Sequence, residues 1–344
     1  MKKILTVISV MAFVIITGTI ITVGTMYNLG CNSIQKTTGQ VVQGCNMDGA
    51  DLNQTIMYQG SEYIYKKGIV NILVLGVDNE HGMSDNVTPG ELGQADAIYL
   101  VSIDTYNDQI HIMGIPRDTM TSIQIMDEDN KYFNMQTFQI TLQYAYGDNC
   151  KSGSKLMAKA VSPLLYDIPI SRVCVVNLNA VQVLNDAVGG VTVKVEEDFT
   201  DESGEVVDPD FYKGNTVTLH GKQALLFVRE RDCSIFASSM TRVSRQEQYI
   251  DAFVDEAKRK LKTNKLLAFE IYNKLLKEDY IYTDLTKSEC VYLGLQASKM
   301  SFSKDNIVTV SGMMKKGDRF EEYYVDPDAL KQQVIDMFYH KIDN

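Results

Sequence analysis

Residues 69–78 read Ile69-Val-Asn-Ile-Leu-Val-Leu-Gly-Val-Asp78, a nearly continuous apolar run that stops at a glycine and ends on a carboxylate. An apolar run without alternation is typical of a strand that is covered on both faces. Two further strands, Ala97–Ile103 and Gln109–Ile115, flank the turn residues Thr105-Tyr-Asn-Asp108, which predicts a hairpin. We therefore expect a β-sheet in the fold, with residues 69–78 as a strand that is covered on both faces.

Helical patterns alternate with further strand patterns downstream of this hairpin. The predicted helices run from Ser152 to Leu165, from His220 to Val228, from Ser238 to Lys262 and from about Asp328 to Tyr339. Strands interspersed with helices predict an α/β fold, with a mixed central sheet flanked by helices on both faces. No change of composition separates residues 261–344 from the rest, so we expect them to extend the same domain.

Composition excludes some classes of function. The chain has 344 residues and a net charge of −11, from 33 basic and 44 acidic residues. Nucleic-acid binding usually requires a basic surface, so we expect no nucleic-acid partner. The sequence contains no GxSxG motif, which argues against a serine hydrolase of that type.

The N-terminus has the pattern of a membrane anchor. Residues 4–26 carry no charge over 23 positions, and Lys2 and Lys3 precede them. About 20 apolar residues cross a bilayer, and basic residues favour the cytoplasmic side. The pattern predicts a cytoplasmic tail over 1–3, a single-pass anchor in the cell membrane over 4–26, an extracellular tether over 27–66 and an extracellular domain over 67–344. A cleaved signal peptide, or a lipoprotein processed at Cys31, is the alternative.

The six cysteines follow no zinc-binding spacing, so no structural zinc is expected. Cys31 and Cys45 flank a short polar stretch and are candidates for a disulfide in an extracellular domain. Cys174 lies in a strand-like apolar segment, where a buried free thiol is the simpler interpretation.

Charged residues gather where predicted strands and helices end. Asp78 and Asp96 come at strand ends, and Arg117 follows the third strand beside a proline. Ligand sites of open α/β sheets lie at such strand ends. Four arginines also fall within the 17 residues 229–245, although each is equally compatible with a surface ion pair. For Arg229 and Arg231 to face one ligand, the helix from His220 must end near Val228, because residues two apart diverge on a helix.

Taken together, these motifs resemble the LytR–CpsA–Psr family of membrane-anchored cell-envelope enzymes. The resembling segments are 71–78, 95–103, 115–119, 144–147, 187–193, 219–224, 228–231 and 242–246, within a motif core over 68–260. The resemblance implies a phosphotransferase. Such an enzyme moves a glycopolymer, of the teichoic acid or capsule type, from a polyprenyl-pyrophosphate carrier to a peptidoglycan acceptor.

The resemblance also implies roles for individual residues. Asp78 and Asp96 match the aspartates that hold Mg²⁺ (or Mn²⁺), and hard oxygen ligands suit such ions. The matches to the catalytic pyrophosphate clamp are Arg117, Arg229 and Arg231. The expected substrate-binding residues are Arg242, Gln246, Gln94 and Gln139. An apolar tunnel for the polyprenyl tail is expected between the sheet and the helices carrying Tyr144–Tyr146 and Leu156–Leu165.

Three positions depart from the family pattern. Gln94, Gln139 and Glu80 stand where family members usually carry cations. Losing one preorganised donor lowers a rate by about 10²–10³. The alternative function is therefore a catalytically weak or inactive relative that binds lipid-linked polymer and scaffolds wall assembly. A transcription factor is disfavoured, because only three residues precede the predicted anchor.

Overall fold

The computed structural model describes residues 22–38, 54–78, 82–200 and 203–342. No helix within these ranges is long and apolar enough to cross a bilayer. The predicted anchor over 4–26 falls mainly on residues 1–21, which lie outside the described ranges, as does Glu80.

As far as the structure describes them, residues 55–139 form seven consecutive strands, and helices interspersed with further strands follow them. The strands are β1 (Thr55–Tyr58), β2 (Ser61–Tyr65), β3 (Ile69–Asp78), β4 (Gln94–Asp104), β5 (Gln109–Gly114), β6 (Met120–Met126), β7 (Tyr132–Gln139), β8 (Arg172–Asn177), β9 (Val191–Lys194), β10 (Thr216–Leu219), β11 (Ile281–Thr283), β12 (Ile307–Thr309), β13 (Gly312–Lys316), β14 (Glu321–Val325) and β15 (Tyr339–Lys341). The helices are α1 (22–38), α2 (Leu142–Ala145), α3 (Cys150–Leu164), α4 (Leu178–Val188), α5 (Lys222–Arg229), α6 (Ser238–Thr263), α7 (Leu267–Lys277), α8 (Lys287–Ala297) and α9 (Pro327–Phe338).

The central sheet has the strand order β11-β8-β3-β4-β5-β12 in the described part of the chain. β3 pairs antiparallel with β4 and parallel with β8, while β12 pairs parallel with β5. The mixed sheet that the sequence predicts is therefore confirmed. Because β11 and β12 lie beyond residue 261, the C-terminal region contributes both edge strands.

Both faces of the sheet are covered by helices, as predicted. Side chains of β3 alternate between two cores, since successive residues of a strand point to opposite faces. Leu73, Leu75 and Val77 pack in one core with residues of α2, α3 and α9. Val70 and Ile72 pack in the other, with residues of α1 and α8.

Helix α1 includes residues 27–38, which the sequence places in a tether, and it packs on α8. The Ser33 hydroxyl donates to Glu289 Oε1 at 2.7 Å, and Arg172 Nη2 donates to the Thr37 hydroxyl at 2.6 Å. Arg172 and Glu289 form a buried ion pair with two hydrogen bonds, Nη2–Oε1 at 2.5 Å and Nε–Oε2 at 3.3 Å. These residues are therefore part of the packed domain.

Residues 54–65 also depart from the predicted tether. They form the hairpin β1–β2, and β2 pairs antiparallel with β15 near the C-terminus. Tyr65 is buried by stacking on Phe338, which holds the hairpin to the domain. The hairpin packs on the core through Ile56, Tyr58, Tyr63 and Tyr65, and the polar average of the whole stretch 27–66 hides these residues. The rest of the predicted tether, 39–53, lies outside the described residues.

The structure describes five of the six cysteines. Cys31 is disulfide-bonded, while Cys150, Cys174, Cys233 and Cys290 are free. Cys174 is therefore the free thiol that the sequence predicts, but it is only partly buried. The predicted partner of Cys31, Cys45, lies outside the described residues.

Candidate active site at the carboxyl end of strand β3

A β-bulge brings the two candidate metal-binding aspartates to one end of the sheet. Asp78 pairs with Gln94 and Val77 with Ala95, but Gly76 pairs with Ala97, so Asp96 is an extra residue in β4. Bulges of this kind redirect a side chain and often border active sites. The carboxylates of Asp78 and Asp96 thus lie on adjacent strands at the same edge.

Arg117 follows β5 and connects it to this end of strands β3 and β4. It donates one hydrogen bond to Asp96 and another, from Nη2, to Gln94 Oε1 at 2.6 Å. Its Nε lies 3.6 Å from Asp118 Oδ1, which is too far for a normal hydrogen bond. The guanidinium group therefore joins two carboxylates and one amide, and it remains a fifth exposed.

The end of helix α5 separates the next two arginines. α5 ends at Arg229, and Glu230 after it is extended, with φ −65° and ψ 143°. This confirms the predicted helix end, which Arg229 and Arg231 need if they are to share a ligand. Arg229 Nη2 lies 3.3 Å from Asp78 Oδ2, and Arg231 Nη1 donates to the Ser238 hydroxyl at 2.9 Å.

The first turns of helix α6 form one wall of the site. Arg242 is buried, with Nη1 4.0 Å from Asp96 Oδ2. Gln246 donates to the Val228 carbonyl at 3.0 Å and accepts a hydrogen bond from the Tyr99 hydroxyl at 2.9 Å. Gln246 is therefore a fixed link between α5, α6 and the sheet.

The site concentrates positive charge around partly buried carboxylates. Burial raises the pKa of the Asp118 carboxyl above its ordinary value, and the Arg117 cation opposes that rise. Burial also lowers the pKa of the Arg242 guanidinium, while the Asp96 carboxylate opposes that change. Four guanidinium groups face three carboxylates here, so an anionic ligand would find excess positive charge. We call Arg117, Arg229, Arg231 and Arg242 the arginine cluster.

A large apolar cavity adjoins the arginine cluster. A small cavity of about 10 Å³ lies among Asp96, Arg117 and Arg242. Its walls include Tyr99 and Gln246, which also line a cavity of about 420 Å³ between the sheet and α6. The large cavity is lined almost wholly by aliphatic and aromatic side chains, including Val74, Val101, Ile112, Tyr249, Ile250, Phe253, Ala257 and Leu261.

The position of this cavity corrects the sequence prediction. The tunnel was expected against the helices that carry Tyr144–Tyr146 and Leu156–Leu165. On that face Tyr144, Met157 and Val161 are fully buried in a solid core. The cavity lies on the opposite face, because the sheet side chains there leave space beneath α6. Hydrophobic pattern alone does not distinguish a filled core from a lined cavity.

A sequence model of the LytR_cpsA_psr family matches residues 32–337. The chain belongs to the LytR_cpsA_psr family. The resemblance stated from the motifs is thereby confirmed.

Relatives of this LytR_cpsA_psr chain include two proteins named polyisoprenyl-teichoic acid–peptidoglycan teichoic acid transferase TagU. The Bacillus anthracis protein is 28% identical over 304 residues, which cover 88% of this chain and 87% of the relative. The Oceanobacillus iheyensis protein is 33% identical over 195 residues, or 56% of this chain and 53% of the relative, so this match spans about half of each protein.

Solved structures show the same fold. Bacillus subtilis TagV gives a TM-score of 0.56 at 20% identity, covering 78% of this chain and 96% of that one. TagT bound to LI-WTA also gives 0.56, at 21% identity, covering 78% and 90%. The mixed sheet with helices on both faces is therefore the architecture of LytR_cpsA_psr structures.

Gln94 and Gln139, two of the expected substrate-binding residues, have defined partners. Gln94 accepts a hydrogen bond from Arg117. Gln139 Nε2 donates to Asp118 Oδ1 at 3.0 Å and to the Glu321 carbonyl at 2.7 Å. Gln139 thus links β7 directly to β14 through the Glu321 carbonyl, and separately to Asp118, contacts between distant segments that the sequence does not reveal.

The described residues contain no cluster of three or more acidic, histidine or cysteine side chains that would form a complete metal site. Mg²⁺ needs fewer, since it usually binds one or two carboxylates and takes further oxygens from substrate phosphates and water. Asp78 and Asp96 fit that donor chemistry, and both retain exposed surface. Each now pairs with an arginine, so a cation would compete with Arg229 and Arg117 for them.

Proposed function

We propose that this protein is a phosphotransferase that moves a glycopolymer of the teichoic acid or capsule type from a polyprenyl-pyrophosphate carrier to peptidoglycan. One observation carries the proposal: the small cavity beside Arg117 and Arg242 shares two wall residues, Tyr99 and Gln246, with the apolar cavity. A polar anionic head joined to a long apolar tail fits this combination. The two relatives named as teichoic acid transferases support the same reaction class.

The cavity suits the isoprenoid tail of such a carrier. Its wall is apolar, and burial of each methylene contributes about 0.8 kcal/mol. A tail lying between the sheet and α6 would leave its pyrophosphate beside Asp96, Arg117 and Arg242. The carrier is therefore held from both ends, by burial of the tail and by charge on the head.

The proposed reaction breaks one phosphorus–oxygen bond and forms another. A peptidoglycan hydroxyl oxygen bonds to the phosphorus that carries the polymer, and its proton passes to solvent. The bond from that phosphorus to the oxygen shared with the carrier breaks, so polyprenyl phosphate leaves. Arg117, Arg231 and Arg242 stabilise the negative charge that grows on the phosphate oxygens.

Asp78 and Asp96 are the proposed ligands of Mg²⁺ or Mn²⁺. When bound, the cation neutralises charge on the pyrophosphate. In the structure these carboxylates instead pair with Arg229 and Arg117. We therefore expect the cation and the pyrophosphate to strengthen each other's binding, because each frees a partner for the other.

The neutral residues at family cation positions define the alternative function. Gln94 and Gln139 position Arg117 and Asp118 but add no charge. If these positions supply essential charge, the chain is a weak or inactive relative that binds lipid-linked polymer and scaffolds wall assembly. Introducing Gln139→Lys tests this, since a lysine there pairs with Asp118 and should raise turnover of an attenuated enzyme.

The proposed location is the outer face of the cell membrane. The uncharged span over 4–26 behind Lys2 and Lys3 supports a single-pass anchor with a cytoplasmic N-terminus. Protease added to intact protoplasts should degrade the domain. Full protection would contradict this topology.

The transferase proposal is tested with purified protein, a polyprenyl-pyrophosphate-linked saccharide and a peptidoglycan glycan, by measuring release of polyprenyl phosphate. Arg117→Lys should lower the rate roughly ten- to a hundredfold, because an ammonium group does not reproduce a bidentate fork. Arg259→Lys, an exposed arginine further along α6, is the matched control and should not change the rate.

Two results would contradict the proposal. Carrier binding without any release, by wild type and by Gln139→Lys alike, would favour the scaffold. Equal rates for wild type and Arg117→Lys would place the chemistry elsewhere.

A further inference from the structure

A second, polar groove borders the arginine cluster. It has a volume of about 440 Å³ and lies between the segment after β9 and the first three turns of α6. Its polar wall consists of Glu196, Glu197, Thr241, Ser244, Arg245 and Gln248. Neither the proposed carrier site nor the metal site uses these side chains.

The floor of the groove is rigid and aromatic. Phe199, Phe211 and Phe227 are buried and form a triad with centroids 5.5 to 6.1 Å apart. The guanidinium of Arg245 lies 3.7 Å above the Phe199 ring and donates to the Glu230 carbonyl, between two arginines of the cluster. Arg245 thus connects the groove wall to the backbone between Arg229 and Arg231 of the arginine cluster.

Arg245 has unused hydrogen-bonding capacity. Its Nε is buried and has no hydrogen-bond partner among the residues that the structure describes. Burial lowers the pKa of Arg245 to about 10, against the opposing carboxylate of Glu197, so it remains a cation at neutral pH. A buried donor without a partner is costly, and the Nε atoms of Arg117 and Arg242 in the arginine cluster share this state.

The chemistry of the wall selects a neutral, hydroxyl-rich ligand. Carboxylates accept only, a guanidinium donates only, and hydroxyl and amide groups do both. Sugar hydroxyls match such a mixture, because each can donate and accept. The exposed carboxylates of Glu196 and Glu197 would repel a polyanionic phosphate polymer.

The groove adjoins the small cavity of the arginine cluster. Met240 lines both of them, whereas Tyr99 and Gln246 join that small cavity to the apolar one. The small cavity therefore borders both larger cavities. With the carrier tail in the apolar cavity, the groove remains free for a second ligand beside the arginine cluster.

We infer that this groove is the binding site of the acceptor glycan, a neutral saccharide of the peptidoglycan type. The inference rests on the proposed function and adds to it the location of the second substrate. The saccharide of the donor shares the same chemistry, so the test must distinguish the two.

The test variant is Ser244→Trp, which fills the groove from an exposed position of α6. Asp255→Trp, exposed on the same helix but outside the cavities, is the matched control. Binding of an uncrosslinked peptidoglycan glycan is measured by calorimetry without donor, and binding of a polyprenyl-pyrophosphate-linked saccharide is measured separately. We expect Ser244→Trp to weaken glycan binding about tenfold, which corresponds to the loss of one or two hydrogen bonds. Its affinity for the donor should stay within about twofold of wild type.

Every other result overturns the inference. Weaker donor binding with unchanged glycan binding would assign the groove to the donor saccharide. Unchanged binding of both, or no glycan binding by wild type, would show that the groove does not bind the acceptor. Because glycan binding is measured without turnover, a failure of the transferase proposal appears separately, as absent release of polyprenyl phosphate.

Discussion

Two adjacent residues of β4 provide a sharp test of where the lipid tail binds. Leu100 is fully buried in the solid core beneath α2 and α3. Val101 points to the opposite face and lines the apolar cavity under α6. The same substitution, to phenylalanine, should therefore have opposite consequences at the two positions.

The structure sets the magnitudes. Phenylalanine has about four more carbons than valine, so Val101→Phe should displace about four carbons of the isoprenoid tail from the cavity. At about 0.8 kcal/mol per methylene this is about 3 kcal/mol, or roughly two decades of affinity. The free energy of unfolding should change little, because the cavity provides the space. Leu100→Phe overpacks a filled core and should lower that free energy by about 1–3 kcal/mol, with little direct effect on the lipid.

The assay combines urea unfolding with binding of polyprenyl pyrophosphates of increasing chain length. For wild type, affinity should rise with each added isoprene unit until the cavity is full, and Val101→Phe should reach that limit at a shorter chain. If Val101→Phe destabilises the fold as much as Leu100→Phe, the cavity is a packed core. Chain-length-independent affinity would show that the tail lies elsewhere.

Other predictions concern the metal site and the docking of α1. Asp96→Asn should weaken pyrophosphate binding about tenfold in the presence of Mg²⁺. In the presence of a chelator the same change should strengthen binding, because it frees Arg117 from the carboxylate. Weaker binding in both conditions would refute the metal role. Burial raises the pKa of Glu289, but the hydrogen bond from Arg172 and the other groups that stabilise the carboxylate together outweigh burial, so the pKa lies below its usual range. The Arg172–Glu289 pair therefore stabilises the fold fully at pH values above the ordinary glutamate pKa of about 4.3. That stabilisation is lost as the pH falls through the lower pKa of the folded state. Glu289→Gln should therefore lower the free energy of unfolding by about 3–5 kcal/mol at neutral pH and flatten its acid dependence, as denaturant titration across pH will show. In α1, Gly30→Ala should weaken docking, since a Cβ there collides with the α8 backbone, whereas Gly24→Ala meets open space and should leave docking unchanged. Equal hydrogen-exchange protection of α1 in the two variants would contradict this packing.

The elements of the active site were predictable where local chemistry determines them. The apolar run before Asp78, the hairpin before Arg117 and the extended residue after Arg229 follow from composition, turn residues and helix geometry. These are properties of short segments, so neighbouring residues suffice to specify them. The motif order then identified the family without any coordinates.

Contacts between distant segments were not predictable. The bulge at Asp96, the link from Gln139 to Glu321 and the docking of α1 on Glu289 depend on residues far apart in sequence. Residues 27–38 and 54–65 were placed in a tether because the stretch 27–66 is on average rich in Gln, Asn and Thr, and this average hides the apolar and aromatic side chains through which both segments pack.

Local sequence patterns were enough to predict the sheet, its flanking helices, the charged residues at one end of the strands and the family. Which face of the sheet holds the cavity, and which groups neighbour the arginine cluster, became visible only in the folded chain. Hydrophobic periodicity records which side chains avoid water, whereas the space between them depends on how far apart the packed layers stand. That spacing is set by α6 lying over small and branched side chains of the sheet, and no local pattern encodes it.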